Sequence, residues 1–218
     1  MTVLSIFYNP ARTFVALKER PKWVLAFNLV VLFTIVSSIL QVQFVFLPNR
    51  YQVYERNGFT PEQIEDAEAR LHGIALYILN ILAPFVYVVI NLAVAGLYFY
   101  LFFPVLKHDI SFRRTFAVVA HASLVRIPGF ALHLPLMIIQ KIDAVHTGLL
   151  LFFPFLSDKT FAFRLLSRFD FFNLWEVVLI GMGLATIANW KKRYTMLIAM
   201  GSWTAINLLY ALSPLARY

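Results

Sequence analysis

Cysteine is absent from all 218 residues, so the chain has no disulfide framework, no thiolate metal site and no cysteine nucleophile. Charge is scarce too: Asp, Glu, Lys and Arg make up 14% of the sequence, against about a quarter in soluble proteins. Nothing matches H-E-x-x-H, G-x-S-x-G or a Walker-type glycine loop, which removes the commonest sequence signatures of hydrolases and nucleotide-binding enzymes. What fills the space is apolar. Hydrophobic residues reach 61%, with 22 Phe, against the 45–50% usual for soluble domains. A soluble fold of this size could not cover that surface, so the chain reads as an integral membrane protein. The net charge of +8 then belongs to a basic cytoplasmic face rather than to a nucleic-acid site, and no nucleic-acid partner is expected.

Five stretches can cross a hydrocarbon core of roughly 30 Å, for which about 20 helical residues suffice. They run over about 23–46, 74–103, 115–139, 171–190 and 195–212. The first is too long for a signal-peptide core and lacks a small-residue exit, so no cleavage is expected. The fold class is therefore an all-α membrane protein: a bundle of five transmembrane helices in one domain, 1–218, with short interfacial amphipathic helices. With the N-terminus inside, the inner segments carry Arg12, Lys18, Arg20, Lys22, Lys107, Arg113, Arg114, Lys191, Lys192 and Arg193 against two acids, Glu19 and Asp109. The outer segments balance eight basic with eight acidic residues. The positive-inside rule thus favours a cytoplasmic N-terminus and an outside C-terminus.

Three segments outside the spans have patterns of their own. Thr60-Pro61-Glu62-Gln63 is a capping box that starts a helix leading toward the second span. Phe161, Leu165, Phe169 and Phe172 recur at i, i+4, i+8 and i+11, which fits either an amphipathic helix on the outer leaflet or a packed loop. The stretch 148–156 is apolar but too short to span, so it is expected to be interfacial or re-entrant. Near the N-terminus, residues 6–23 mix Phe7, Phe14 and Leu17 with Arg12, Lys18, Arg20 and Lys22. That predicts a helix lying on the cytoplasmic surface of the bilayer, held by anionic headgroups.

Polar residues inside spans are costly and mark the places to look for chemistry. On the second span Asn80, Pro84, Tyr87, Asn91 and Tyr98 share one stripe at 100° per residue, which predicts a face turned to the bundle interior. Inter-helix hydrogen bonds account for such a stripe; a solute path is the sharper alternative. Arg126 lies about 16 Å into the third span, and Glu176 lies near the outer end of the fourth. They differ in depth by roughly 8 Å, a gap that two long side chains can close. Such a pair is either structural or part of a proton or ion relay. The His residues form no ligand set, so no metal, no cofactor and no catalytic residue is expected. Gly181 with Ala185, and Gly201 with Ala205, are small-residue seams that let helices approach closely, within one chain or between copies.

Several motifs together resemble a known family. Asn9-Pro10, Thr13-Phe14, Leu17 and Pro21 resemble the opening of bacterial members of the YIP family (Ypt-interacting-protein domain). Ser111-Phe112-Arg113-Arg114-Thr115-Phe116 leading to Pro128 resembles the start of that family's third span. Asp170, Phe172 and Trp175, followed by Gly181 and Lys191-Lys192-Arg193, resemble its Asp-x-Phe-x-x-Trp motif before the fourth span. The long segment between the third and fourth spans, and Arg126, depart from the pattern. The resemblance implies a five-helix membrane protein without a catalytic residue. It implies a bacterial cytoplasmic (inner) membrane and association with other membrane proteins, among them ABC transporters of the macrolide-exporter type and efflux complexes. The expected role is that of a non-enzymatic accessory or assembly subunit. The alternative is a small permease or channel that uses the stripe of the second span and Arg126. Because the chain lacks Cys, single cysteines report topology without background: Asn57→Cys should react only from outside and Lys192→Cys only from inside. Labelling of both from one side would remove the five-span arrangement.

Overall fold

The computed structural model describes residues 3–56, 58–70, 74–105, 110–140, 142, 145–157 and 159–213. Its elements are α1 (Ser5–Tyr8), α2 (Pro10–Glu19), α3 (Val24–Gln41), a π-helical turn (Val42–Phe46), α4 (Leu47–Arg56), α5 (Pro61–Arg70), α6 (Ile74–Val105), α7 (Phe112–Ala122), a 3₁₀ turn (Ser123–Val125), α8 (Arg126–Gln140), α9 (Phe161–Leu166), α10 (Phe171–Ala188) and α11 (Lys192–Leu212). A short 3₁₀ turn covers Leu149–Phe152. Among the described residues β pairing is limited to an isolated bridge between Gly148 and Asp170. Five helical stretches are long and apolar enough to cross a membrane: Val24–Gln52, Ile81–Phe102, Phe112–Gln140, Phe171–Ala188 and Lys192–Leu212.

Proline accounts for both irregular turns. Pro48 has no N–H to offer the carbonyl four residues earlier, and the hydrogen-bond register widens to the π form over Val42–Phe46, just ahead of it. Pro128 likewise cannot donate to the carbonyl of Leu124, and the third span tightens to 3₁₀ at Ser123–Val125.

The chain divides into two compact units. One comprises residues 31–91 and 130–145. In it the capping box forms as the sequence predicts: the Thr60 amide donates to Gln63 Oε1 at 2.9 Å, and the Gln63 amide donates to Thr60 Oγ1 at 3.3 Å. Arg50 at the end of the first span grips both carboxylate oxygens of Glu68 on α5, at 2.7 and 2.9 Å, and its guanidinium lies 4.9 Å from the Tyr51 ring. Asn49 donates to the carbonyl of Val45, satisfying an acceptor of the π turn at 2.9 Å.

The other unit comprises residues 1–30, 92–129 and 146–218, and is built around α10. Gly181 is backed by Met196 of α11, whose Cα would lie 2.9 Å from an added Cβ. Gly183 faces Val118 of α7 and Phe14 of α2, which would lie 2.4 and 2.8 Å from a Cβ there. Phe7 meets Trp175 edge-on at 6.1 Å, and Lys18 donates to the side chain of Asn189. Along α10 the order 175, 183, 189 thus meets 7, 14, 18, so α1 and α2 run parallel to the fourth span. Asn189 itself closes α10 in the left-handed conformation (φ 51°), which Asn tolerates better than most residues.

One expectation is corrected here, and two that left alternatives open are narrowed. The N-terminal helix does not offer its apolar face to headgroups: Phe14 is fully buried and Leu17 nearly so, against protein. The repeat from Phe161 to Phe172 is not one surface helix, because α9 stops at Leu166 and Asp170 caps a new helix. That segment is a packed loop, tied to α11 by Phe169 on Trp203 at 5.0 Å, by Arg168 over Tyr210 at 4.2 Å, and by Arg164 on the Ala211 carbonyl at 3.3 Å. Gly201 and Ala205 form no close seam within the chain: nothing lies within 4 Å of a Cβ built at Gly201, and both residues are exposed. The stretch 148–156 does present an apolar surface, with Phe152 75% and Phe155 78% exposed. Glycine chemistry separates the two faces. Gly183→Ala should lower stability by about 1–3 kcal/mol through overpacking, whereas Gly201→Ala should stay within about 0.5 kcal/mol. Thermal melting of the two variants in detergent checks the difference.

Candidate functional site

A partly buried ion pair stands between the third and fourth spans, in the unit built around α10. Arg126 opens α8 directly after the 3₁₀ turn, and Glu176 faces it from the second turn of α10. Arg126 Nε donates to Glu176 Oε2 at 3.0 Å and Nη2 donates to Oε1 at 3.1 Å, a two-pronged grip that suits the planar guanidinium. Ser123 adds a third bond, its hydroxyl donating to Oε1 at 2.6 Å. The Glu176 side chain is 9% exposed and that of Arg126 35%. The carboxylate is therefore the enclosed partner, and the cation stands at the edge. Ser123 carries no distinguishing motif in the sequence. Its signal is spacing alone, since a hydroxyl three residues before Arg126 shares its helix face.

Below the pair lies the start of α10, where the motif residues each have a structural task. Asp170 is its N-cap: Oδ1 accepts from the Phe172 amide at 2.8 Å, filling a first-turn donor left open by the helix. Oδ2 accepts from the Thr147 amide at 3.1 Å and from the Thr147 hydroxyl. The Leu149 amide donates to the Phe169 carbonyl at 3.1 Å, which lashes residues 147–149 to the same point. Gly148 allows this approach, because an added Cβ would stand 1.9 Å from the Phe169 oxygen. Phe172 lies under Gly129, where a Cβ would come within 2.8 Å of its ring. Trp175 stacks its edge on Phe7 and lies 5.9 Å from Phe171.

Along the polar stripe of the second span Pro84, Asn91 and Tyr98 are half-buried, and Tyr87 is the exception. Tyr87 is 63% exposed. The buried residues of α6 are Val88, Leu92, Gly96 and Phe99, an apolar face one residue further round the helix. Periodicity fixed which residues share a face, not which face the protein covers. Asn91 is half-buried and engaged, and the side chain of Asn80 lies outside the described residues. Ala185 is buried in α10 on the same row as Gly181. Among the described residues no group of three His, Asp or Glu side chains is placed to hold a metal ion.

Removing one member of the ion pair leaves the other desolvated. Arg126→Ala should therefore destabilise the protein by about 3 kcal/mol, and Arg126→Ala combined with Glu176→Ala should recover part of that loss. Strictly additive losses in thermal melting would show that the two residues are not energetically coupled.

Comparison with known proteins adds one match. The family model for the Yip1 domain matches residues 4–213. Neither the curated proteins nor the solved structures contain a significant match. The matched stretch runs from ahead of α1 to the end of α11, so it takes in the capped start of α10, the ion pair and all five apolar helices. The chain is a multi-pass membrane protein of the Yip1 domain family.

Proposed function

We propose that this chain is a non-catalytic subunit that binds other membrane proteins, serving as an accessory or assembly component of an ABC-type exporter or efflux complex in a bacterial cytoplasmic membrane. In this reading the C-terminus is outside, and the basic segments before α3, before α7 and before α11 face the cytoplasm. The observation that carries the reading is the contrast between glycines. Gly181 and Gly183 are closed by neighbours within the chain, whereas Gly201 and Ala205 stand open on α11 among exposed Leu197, Ile206 and Leu209. In lipid, helices associate by close packing of small residues, and an open surface of this kind lets a partner helix approach closely. Family members that accompany exporters supply the class of partner. The exposed Tyr87 speaks against the permease alternative, since a path along the second span needs that stripe enclosed.

Affinity purification in mild detergent from native membranes tests the reading. The chain should retain the ABC exporter of its own cell, Gly201→Leu should cut that retention at least about tenfold by inserting bulk at the contact, and Asn91→Leu should leave it intact. Solute flux from the reconstituted chain alone, abolished by Asn91→Leu, would instead establish the permease.

A further inference from the structure

On the basic side of the molecule, α2, the start of α3 and α7 enclose a cavity of about 380 Å³. Arg20 and Lys22 stand at its mouth with Glu19 between them in sequence, and all three are exposed. None of these three side chains has a hydrogen bond or ion pair with another described residue. Deeper in, the wall is formed by Thr13 and His121. Depth follows from the packing of α2 on α7: Phe14 and Val118 meet at Gly183, and His121 lies one turn beyond Val118, away from the basic end.

The polar inventory of this cavity is unbalanced. The Thr13 hydroxyl is occupied by Ser5 Oγ at 2.8 Å and by the Asn9 carbonyl at 3.0 Å. His121 is 4% exposed, and its Nδ1 donates to the Ala117 carbonyl at 2.8 Å. That bond makes Nε2 the ring's lone-pair acceptor. No described residue satisfies Nε2, yet every fully enclosed side-chain nitrogen and oxygen among the described residues has a partner, so Nε2 opens onto the cavity. The lining therefore offers one buried acceptor and, from two cations and one carboxylate, a net charge of +1. Its remaining walls are apolar: Leu17 within, and Leu25, which is 59% exposed on the outer surface of the first span and leads from the cavity toward the bilayer.

We propose that this cavity binds the glycerol phosphate group of a membrane phospholipid that keeps a free hydroxyl. The phosphate lies between Arg20 and Lys22, the hydroxyl donates to His121 Nε2, and the acyl chain leaves along Leu25. A monoanionic phosphodiester matches the charge of the lining, and the volume suits a small polar group with the root of one chain. The hydroxyl can come from beyond the phosphate, as in phosphatidylglycerol, or from the position between phosphate and chain, as in a lysophospholipid. This inference is independent of any exporter.

Native mass spectrometry of the full chain, titrated with defined lipids, tests it. Phosphatidylglycerol or lysophosphatidylmethanol should bind about tenfold more tightly than phosphatidylmethanol, which carries the same single phosphodiester charge as both and no free hydroxyl; tenfold corresponds to about 1.4 kcal/mol, the value of one good hydrogen bond. Which of the two lipids shows the preference identifies the position of the hydroxyl. His121→Phe should abolish the preference. Arg20→Gln with Lys22→Gln, at exposed positions where folding is undisturbed, should weaken all three lipids about tenfold while the preference remains, and this variant carries the test should His121→Phe not fold. Equal binding of both hydroxyl lipids and phosphatidylmethanol by the unaltered chain, or indifference to the Arg20 and Lys22 changes, would overturn the proposal. Displacement of lipid by soluble glycerol 3-phosphate at equal concentration would overturn the membrane as the source.

Discussion

Close backbone approach along α10 is the constraint around which its unit is arranged. Two glycines, two residues apart, open opposite flanks of one helix: Gly181 admits α11 to its backbone, and Gly183 admits Phe14 of α2 together with Val118 of α7. Lipid tails are as apolar as Leu, so burying hydrocarbon gives helices little reason to associate in a bilayer. Shape fit does. An added methyl at either position would force a helix outward, and with it the Trp175–Phe7 contact above and the Lys18–Asn189 contact below. The helix that makes most of the contacts is therefore also the one with the least tolerance for side-chain volume.

The ion pair serves the same arrangement differently. A bidentate Arg–carboxylate pair fixes depth and rotation at once, whereas apolar packing tolerates small slides. Its net stabilisation is modest, because desolvation of Glu176 offsets much of the attraction. What the pair supplies is register: Arg126, set just after the 3₁₀ turn, meets Glu176 only if α8 and α10 hold one vertical position. The N-cap at Asp170 fixes the same position from the other direction by binding Thr147 as well as its own helix.

The sequence disclosed most where the cause is local. The five spans follow from run length, the Thr60 capping box from four adjacent residues, and the Arg126–Glu176 meeting from rise per residue. It disclosed least where the same pattern serves two surroundings. The face of α2 carrying Phe14 and Leu17 is apolar whether lipid or protein covers it, so amphipathicity could not reveal that α10 does the covering. Tyr87 and Asn91 share an azimuth in any helix, but which azimuth is covered is shown only by the full burial of Val88 and Leu92. Gly201 and Gly181 look alike as letters; only their neighbours distinguish a closed contact from an open one.

The parallel pairing of α1 and α2 with α10 also has a consequence in time. Residues 5–19 are synthesised well ahead of the helix that shelters them, which begins at residue 171, about 150 residues later. At the usual 5–20 residues per second, the N-terminal segment waits for about 8–30 seconds before its partner emerges. During that interval Phe14 and Leu17 have only the membrane surface to lie on, with Lys18, Arg20 and Lys22 at the headgroups. The amphipathic pattern of this segment thus suits two successive environments: a lipid interface while the chain is incomplete, and a protein groove once the fourth span arrives.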